Sequence, residues 1–175
     1  MSHDLPITNT RAMRVFAISH YQDPMRRLIL AKSKSNCTVA YQLGQLLWQM
    51  TDIRHQQFDY IVPVPLHWKR YAWRGYNQAY EMARALSKQS GKPVLNVIKR
   101  TRATIPQSAV KGHERVSNVA QVFAVRKSQS TILKGARILL VDDLMTTGST
   151  LRACAKELYA HKAMQVVAVV VSRVV

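Results

Sequence analysis

Between positions 137 and 152 the chain reads RILLVDDLMTTGSTLR. Ile138, Leu139, Leu140 and Val141 form a short continuous apolar run, the pattern of a strand covered on both faces in a parallel sheet. Asp142 and Asp143 follow at once, then Leu144, Met145 and the small-residue run Thr146, Thr147, Gly148, Ser149 and Thr150. Leu151, Cys154, Ala155, Leu158 and Tyr159 then recur near helical spacing. The unit is a strand, an acidic turn, a turn of hydroxyls and glycine, and a helix.

A turn of this kind at a helix start offers backbone N–H groups and hydroxyls to a phosphate, and the helix dipole favours the anion. The carboxylates repel phosphate but accept hydrogen bonds from a sugar diol. A phosphate cradle a few residues beyond a diol clamp suits a ribose 5-phosphate. Helix capping alone would need one hydroxyl, whereas four of the five residues at 146–150 carry one. The stretch resembles the PRPP-binding motif of the type I phosphoribosyltransferases, in which a hydrophobic strand, two acidic residues and a Thr/Ser/Gly loop follow one another.

Composition bounds the rest. A chain of 175 residues with 47% hydrophobic content fits one ordered domain over 1–175. Its 26 Lys and Arg against 9 Asp and Glu leave a net charge of +17, a field that attracts nucleic acid or phosphorylated small molecules. Cys37 and Cys154 have neither CxxC spacing nor nearby His, which argues against a disulfide framework or zinc site. No signal-peptide core is present, and no apolar run reaches the ~18 residues of a membrane span. A reduced, cytoplasmic setting is the default expectation.

Taken in order, residues 1–12 read as a loose start and 14–21 as a strand at a sheet edge. Asp23–Pro24 begins a helix to about residue 34, and a second helix covers 38–50 with Leu43, Leu46 and Leu47 inward. A strand at 59–64 runs into PVPLHWKRYAWRGYNQAY. Pro63 and Pro65 keep that chain extended, and Lys69, Arg70 and Arg74 stand among Trp68, Tyr71 and Trp73. Asn77 caps a helix ending near Gly91. A third strand spans 92–98. Residues 100–121 form a long polar stretch, rich in Lys and Arg, that reads as a flexible flap able to close over a phosphate site. Phe123 to Val125 returns to a strand, and 164–174 closes the sheet.

Together PVPLHWKRYAWRGYNQA, TRATIPQSAVKGHERVSNVAQVF and ILLVDDLMTTGST resemble the ComF family of competence proteins. That resemblance covers about residues 14–175. It implies an α/β type I phosphoribosyltransferase fold, a mostly parallel central sheet flanked by helices, and a role in uptake of transforming DNA. Many members begin with a four-cysteine zinc ribbon, and these 175 residues hold none.

Carried over by position, Asp142 and Asp143 resemble the ribose-diol pair, and Thr146, Thr147, Gly148, Ser149 and Thr150 the 5-phosphate loop. Asp142, Asp143 and Thr146 are the catalytic positions the resemblance implies. Pro65, Leu66 and His67, with Arg70 and Arg74, resemble the pyrophosphate loop. Arg102, Gln107, Arg115 and Asn118 resemble flexible-loop positions. Purine-salvage relatives start the phosphate loop with an Asp that assists the base, and Thr146 cannot serve as a carboxylate base. His67 is the one group in the pyrophosphate-loop motif with a near-neutral reference pKa.

The implied reaction transfers the phosphoribosyl group of PRPP to an unidentified acceptor, with pyrophosphate leaving C1. Mg²⁺ would act as cofactor, held through substrate phosphates and waters with no direct protein ligation. A rival reading makes single-stranded DNA the main ligand, with cations such as Lys69 on phosphates and Trp68, Tyr71, Trp73 and Tyr76 along a stacking track. A competence helicase is a further partner implied by the family.

Overall fold

The computed structural model describes residues 1–20, 37–66, 72, 75–101 and 122–174. The expected helix at 23–34 lies outside the described residues. Among the described residues there are seven strands: β1 (Ser2–Thr8), β2 (Arg11–His20), β3 (Tyr60–Pro63), β4 (Ile98–Arg100), β5 (Phe123–Val125), β6 (Arg137–Met145) and β7 (Gln165–Arg173). Three α-helices accompany them: α1 (Cys37–Met50), α2 (Gln78–Ser90) and α3 (Ser149–Ala160).

The main sheet has the order β1-β2-β7-β6-β3. β2, β7, β6 and β3 run parallel, and β1 is antiparallel to β2. The continuous apolar runs of β6 and β7 divide between two cores by strict alternation. Ile138, Leu140, Val166 and Ala168 face Leu151, Cys154, Ala155 and Leu158 of α3. Leu139, Val141, Val167 and Val169 face Leu43 and Leu47 of α1 and Met82 and Leu86 of α2. The molecule is thus a helix–sheet–helix sandwich, the α/β architecture expected.

Five expectations are corrected. Residues 2–8 are not loose: His3, Leu5 and Ile7 alternate with exposed positions, Leu5 and Ile7 are buried, and the segment pairs with β2. Pro6 is tolerated because β1 is the outer strand, with a register irregularity between Pro6 and Thr8. β2 is therefore internal rather than at an edge, and β7, between β2 and β6, lies mid-sheet rather than closing it. The third strand expected at 92–98 shrinks to one parallel bridge between Val94 and Ile61. Pro93 contributes only its carbonyl, which accepts from Ile61 N at 3.0 Å, and the chain then leaves to start β4. Finally, β6 continues through Asp142 and Asp143 to Met145, so the acids sit on a strand and not in a turn. Leu144 and Met145 still pair with Ser172 and Arg173 of β7.

Two local devices set the frame. Gly44 lets α1 press on α2: a Cβ there would lie 2.6 Å from Met82 O and 2.7 Å from Ala85 Cβ. At the amino end of the sheet, Arg137 donates from its backbone N and from Nε and Nη2 to Asp59 at 2.8, 3.2 and 2.8 Å, and also to Gln57 Oε1. Side-chain hydrogen bonds from Arg137, and then its backbone N–H, hold the Asp59 carboxyl below its usual range.

Gly44→Ala forces backbone or a methyl apart, and we expect a loss of about 1–3 kcal/mol in urea unfolding; an unchanged midpoint would refute the close approach. Because the folded Asp59 value is depressed, its contribution is fully present above the unfolded value of about 3.9 and is lost as pH falls through the folded value. Asp59→Asn should therefore separate from the wild type at neutral pH and converge with it in acid. A stability difference constant with pH contradicts this.

Candidate functional site at the carboxyl ends of β3 and β6

In open parallel sheets ligands bind beyond the carboxyl ends of the strands. Here β3 and β6 are direct neighbours, with Pro63 opposite Val141. Val64 N donates to Val141 O at 2.9 Å, so the pairing runs to the point where both chains leave the core. Asp142 and Asp143 follow on one strand, Pro65 and Leu66 on the other, all four half-buried. The tertiary pairing thus brings together two motifs about 75 residues apart in sequence.

Asp142 is in phase with Ile138 and Leu140, on the face covered by α3. Electrostatics agrees: the Cys154 thiol of α3 is pushed well above its ordinary value by burial and then by the Asp142 charge, with Arg100 acting oppositely. Cys154 is accordingly a neutral core thiol. Asp143 N donates to Asp142 Oδ1 at 2.9 Å, which orients the first carboxylate against the backbone of the second. Among the described residues no three His, Cys, Asp or Glu side chains converge to hold a metal ion.

Beyond the acids, Thr146 and Thr147 are exposed, Gly148 is buried and Ser149 is exposed. Gly148 has φ +72°, the left-handed turn that leads into α3. Thr147 Oγ1 donates to Ser149 Oγ at 3.1 Å and accepts from Ser149 N at 3.4 Å. The first-turn N–H groups of α3 have no acceptor within the helix. Asp142, Met145, Thr146, Gly148 and Thr150 line a hollow of about 20 Å³, room for a small group and not for a whole sugar. Asp142 and the hydroxyl loop therefore share one small hollow.

On the β3 side, Asn77 does two jobs. Its Oδ1 accepts from Ala79 N at 3.1 Å, the expected cap of α2, and its Nδ2 donates to Val64 O at 3.1 Å. The second bond, which sequence reading missed, ties the helix start to the strand exit. Pro65, Leu66, Tyr76, Asn77, Tyr80 and Arg126 help line a larger hollow of about 550 Å³. Of the nucleic-acid candidates, Tyr76 is described, and it lines this hollow. His67, Trp68, Lys69, Arg70, Tyr71, Trp73, Arg74, Arg102, Gln107, Arg115 and Asn118 lie outside the described residues.

Sequence reading also missed the polar ends of the inner strands. Ser19 and His20 of β2 pair with Ser172 and Arg173 of β7. Ser19 Oγ, His20 Nδ1 and Arg173 Nε are buried without hydrogen-bond partners among the described residues. Their signal was present as a change from Val and Ala to Ser, His and Arg at the strand ends. It becomes legible once the strands are known to be neighbours. No described helix is long and apolar enough to cross a membrane.

A family model described as a phosphoribosyl transferase domain matches residues 72–173. The chain is 34% identical over 150 residues to Competence protein F of Haemophilus influenzae, covering 82% of this chain and 65% of that protein. It is 30% identical over 163 residues to DNA utilization protein YhgH of Escherichia coli K12, covering 87% and 69%. The matched region thus spans about two thirds of these relatives. Among solved structures, the glutamine PRPP amidotransferase of B. subtilis, complexed with ADP and GMP, matches at TM-score 0.52 and 19% identity, over 74% of this chain and 25% of that one, a likeness of fold. With its acid-bearing strand running straight into the hydroxyl loop of α3, the chain belongs to the ComF family, built on a type I phosphoribosyltransferase-like domain.

Proposed function

We propose that the chain binds PRPP with Mg²⁺ at the carboxyl ends of β3 and β6, and that this site serves DNA uptake in the cytoplasm. The observation that carries the reading is the continuity of Asp142 and Asp143 with the 146–150 loop at the start of α3. In this reading the two carboxylates accept the ribose hydroxyls, while loop hydroxyls and first-turn N–H groups take the 5-phosphate. The oxygen-only donor set suits Mg²⁺, which would sit near Asp142 and Asp143 and neutralise diphosphate charge while keeping most of its waters.

If transfer occurs, pyrophosphate leaves C1 through an oxocarbenium-like state, and the nearby carboxylates stabilise the positive sugar. Arg70, Arg74 and either Arg102 or Arg115 would stabilise the departing diphosphate, each acting on charge that grows in the transition state. Thr146 positions phosphate and does not act as a base. His67 belongs to the pyrophosphate loop in this reading.

A second activity is supported by the net charge of +17, and by the names of the relatives, one a competence protein and another a DNA utilization protein. Single-stranded DNA would follow the 67–76 stretch, with Lys69, Arg70 and Arg74 on phosphates and Trp68, Tyr71, Trp73 and Tyr76 under bases. A competence helicase belongs to the same reading as the partner that delivers the strand.

Calorimetry with PRPP and Mg²⁺ tests the first activity. Losing charge-assisted bonds of about 1.5–3 kcal/mol in Asp142→Asn/Asp143→Asn should weaken binding at least about tenfold. Equal heats for wild type and double variant, or none for either, reject the site. Fluorescence anisotropy with a labelled single-stranded oligonucleotide tests the second. Affinity should fall steeply with salt, weaken in Trp73→Ala and Arg74→Ala, and survive in the double Asn variant. Affinity indifferent to salt, or no binding at low salt, rules out the track.

A further inference from the structure

The strand that sequence reading took for a loose start stands directly behind the candidate phosphate loop. A Cβ on Gly148 would lie 2.8 Å from Leu5 Cδ1 and 3.0 Å from Leu5 Cδ2, so the Leu5 side chain fills the space at the back of the turn. Leu5 itself is 7% exposed. One helical turn later, Arg152 N donates to Gly148 O at 2.9 Å, and Arg152 Nε reaches across to Pro6 O at 2.8 Å. Two consecutive residues of β1 therefore grip the first turn of α3, one by packing and one by a hydrogen bond.

The same hairpin holds the far end of the helix. The Arg11 guanidinium lies 4.3 Å from the centroid of the Tyr159 ring, and Tyr159 Oη accepts from Val166 N at 3.0 Å. α3 is thereby fixed at both ends against the β1–β2 hairpin, which is in turn paired through β2 to β7. An anion cradle made of backbone N–H groups works only if those groups are held in place before the ligand arrives. Neither the Thr147–Ser149 bonds nor the glycine turn can do that alone, because both lie within the loop itself.

We infer that Leu5 and Arg152 are positioning residues for phosphate binding: the N-terminal β1–β2 hairpin is the back wall that presets the 146–150 loop. The inference rests on the PRPP reading for the identity of the ligand, though not for the contacts. It adds a functional role to a strand outside the 72–173 region that carries the family match. The Leu5 and Pro6 contacts fall on the 148–152 turn of α3, so the expected effect is on that half of the site.

The test compares two probes on the full chain, ribose 5-phosphate and Mg²⁺–pyrophosphate, by calorimetry, with amide hydrogen exchange at 147–150 read in parallel. Leu5→Ala should weaken ribose 5-phosphate at least tenfold, leave Mg²⁺–pyrophosphate within twofold, and speed exchange at 147–150. Leu5→Ile, which keeps the apolar bulk, should restore both readouts. Where Leu5→Ala does not fold, Arg152→Gln carries the test, with about a threefold loss for ribose 5-phosphate alone. Equal weakening of both probes, or unchanged affinity and exchange in a folded variant, overturns the inference. If the wild type binds no ribose 5-phosphate, the PRPP reading falls, and exchange at 147–150 alone decides whether the hairpin holds the loop.

Discussion

Backbone groups of β6 from Ile138 to Val141 are shut off from water, because apolar side chains cover that part of the strand on both faces. Each N–H and C=O must therefore pair with β3 on one side and β7 on the other. That requirement is what the rest of the molecule depends on. It holds β6 in register between two parallel neighbours, and it makes all three strands end at one edge of the sheet. The last rung on the β3 side, from Val64 N to Val141 O, stands immediately before Asp142. Chemistry starts where pairing on that side stops.

The two cores have different tasks. On the face of α1 and α2, packing is tight enough for Gly44 to meet the Met82 carbonyl, and Asn77 binds the start of α2 to the end of β3. That side anchors the loop after β3. On the other face, α3 carries the hydroxyl loop and is held by β1 and β2 from behind. The two halves of the candidate site are thus supported by separate elements.

Charge is distributed in the same spirit. The one described ion-pair network with several bonds, Arg137 with Asp59, is at the amino end of the sheet, far from the loops. At the carboxyl end the polar residues are Asp142, Asp143, Ser19, His20 and Arg173, several of them half-buried. Burying such groups costs free energy unless something answers them. The Arg137–Asp59 network and the candidate site are at opposite ends of one sheet, so the polar groups of each can be selected without spoiling the other.

Much was readable from local pattern. The apolar run of β6, the spacing of α2 and its Asn77 cap, and the order of acids and hydroxyls are properties of neighbouring residues, and short-range chemistry sets them. Three things were not. β1 could be recognised as a strand only through its partner, because Leu5 and Ile7 are two apolar residues in a polar segment. The extension of β6 through its carboxylates runs against every propensity and is imposed by the bonds of Leu144 and Met145 to β7. The bridge at Val94 is shorter than its sequence suggests, since Pro93 offers no N–H. Sequence by itself determined which chemical groups exist and which of them are adjacent along the chain. Tertiary structure alone decided that a strand from the first ten residues stands behind the loop at 146–150, because strand order follows from backbone pairing between distant segments, which no local period encodes.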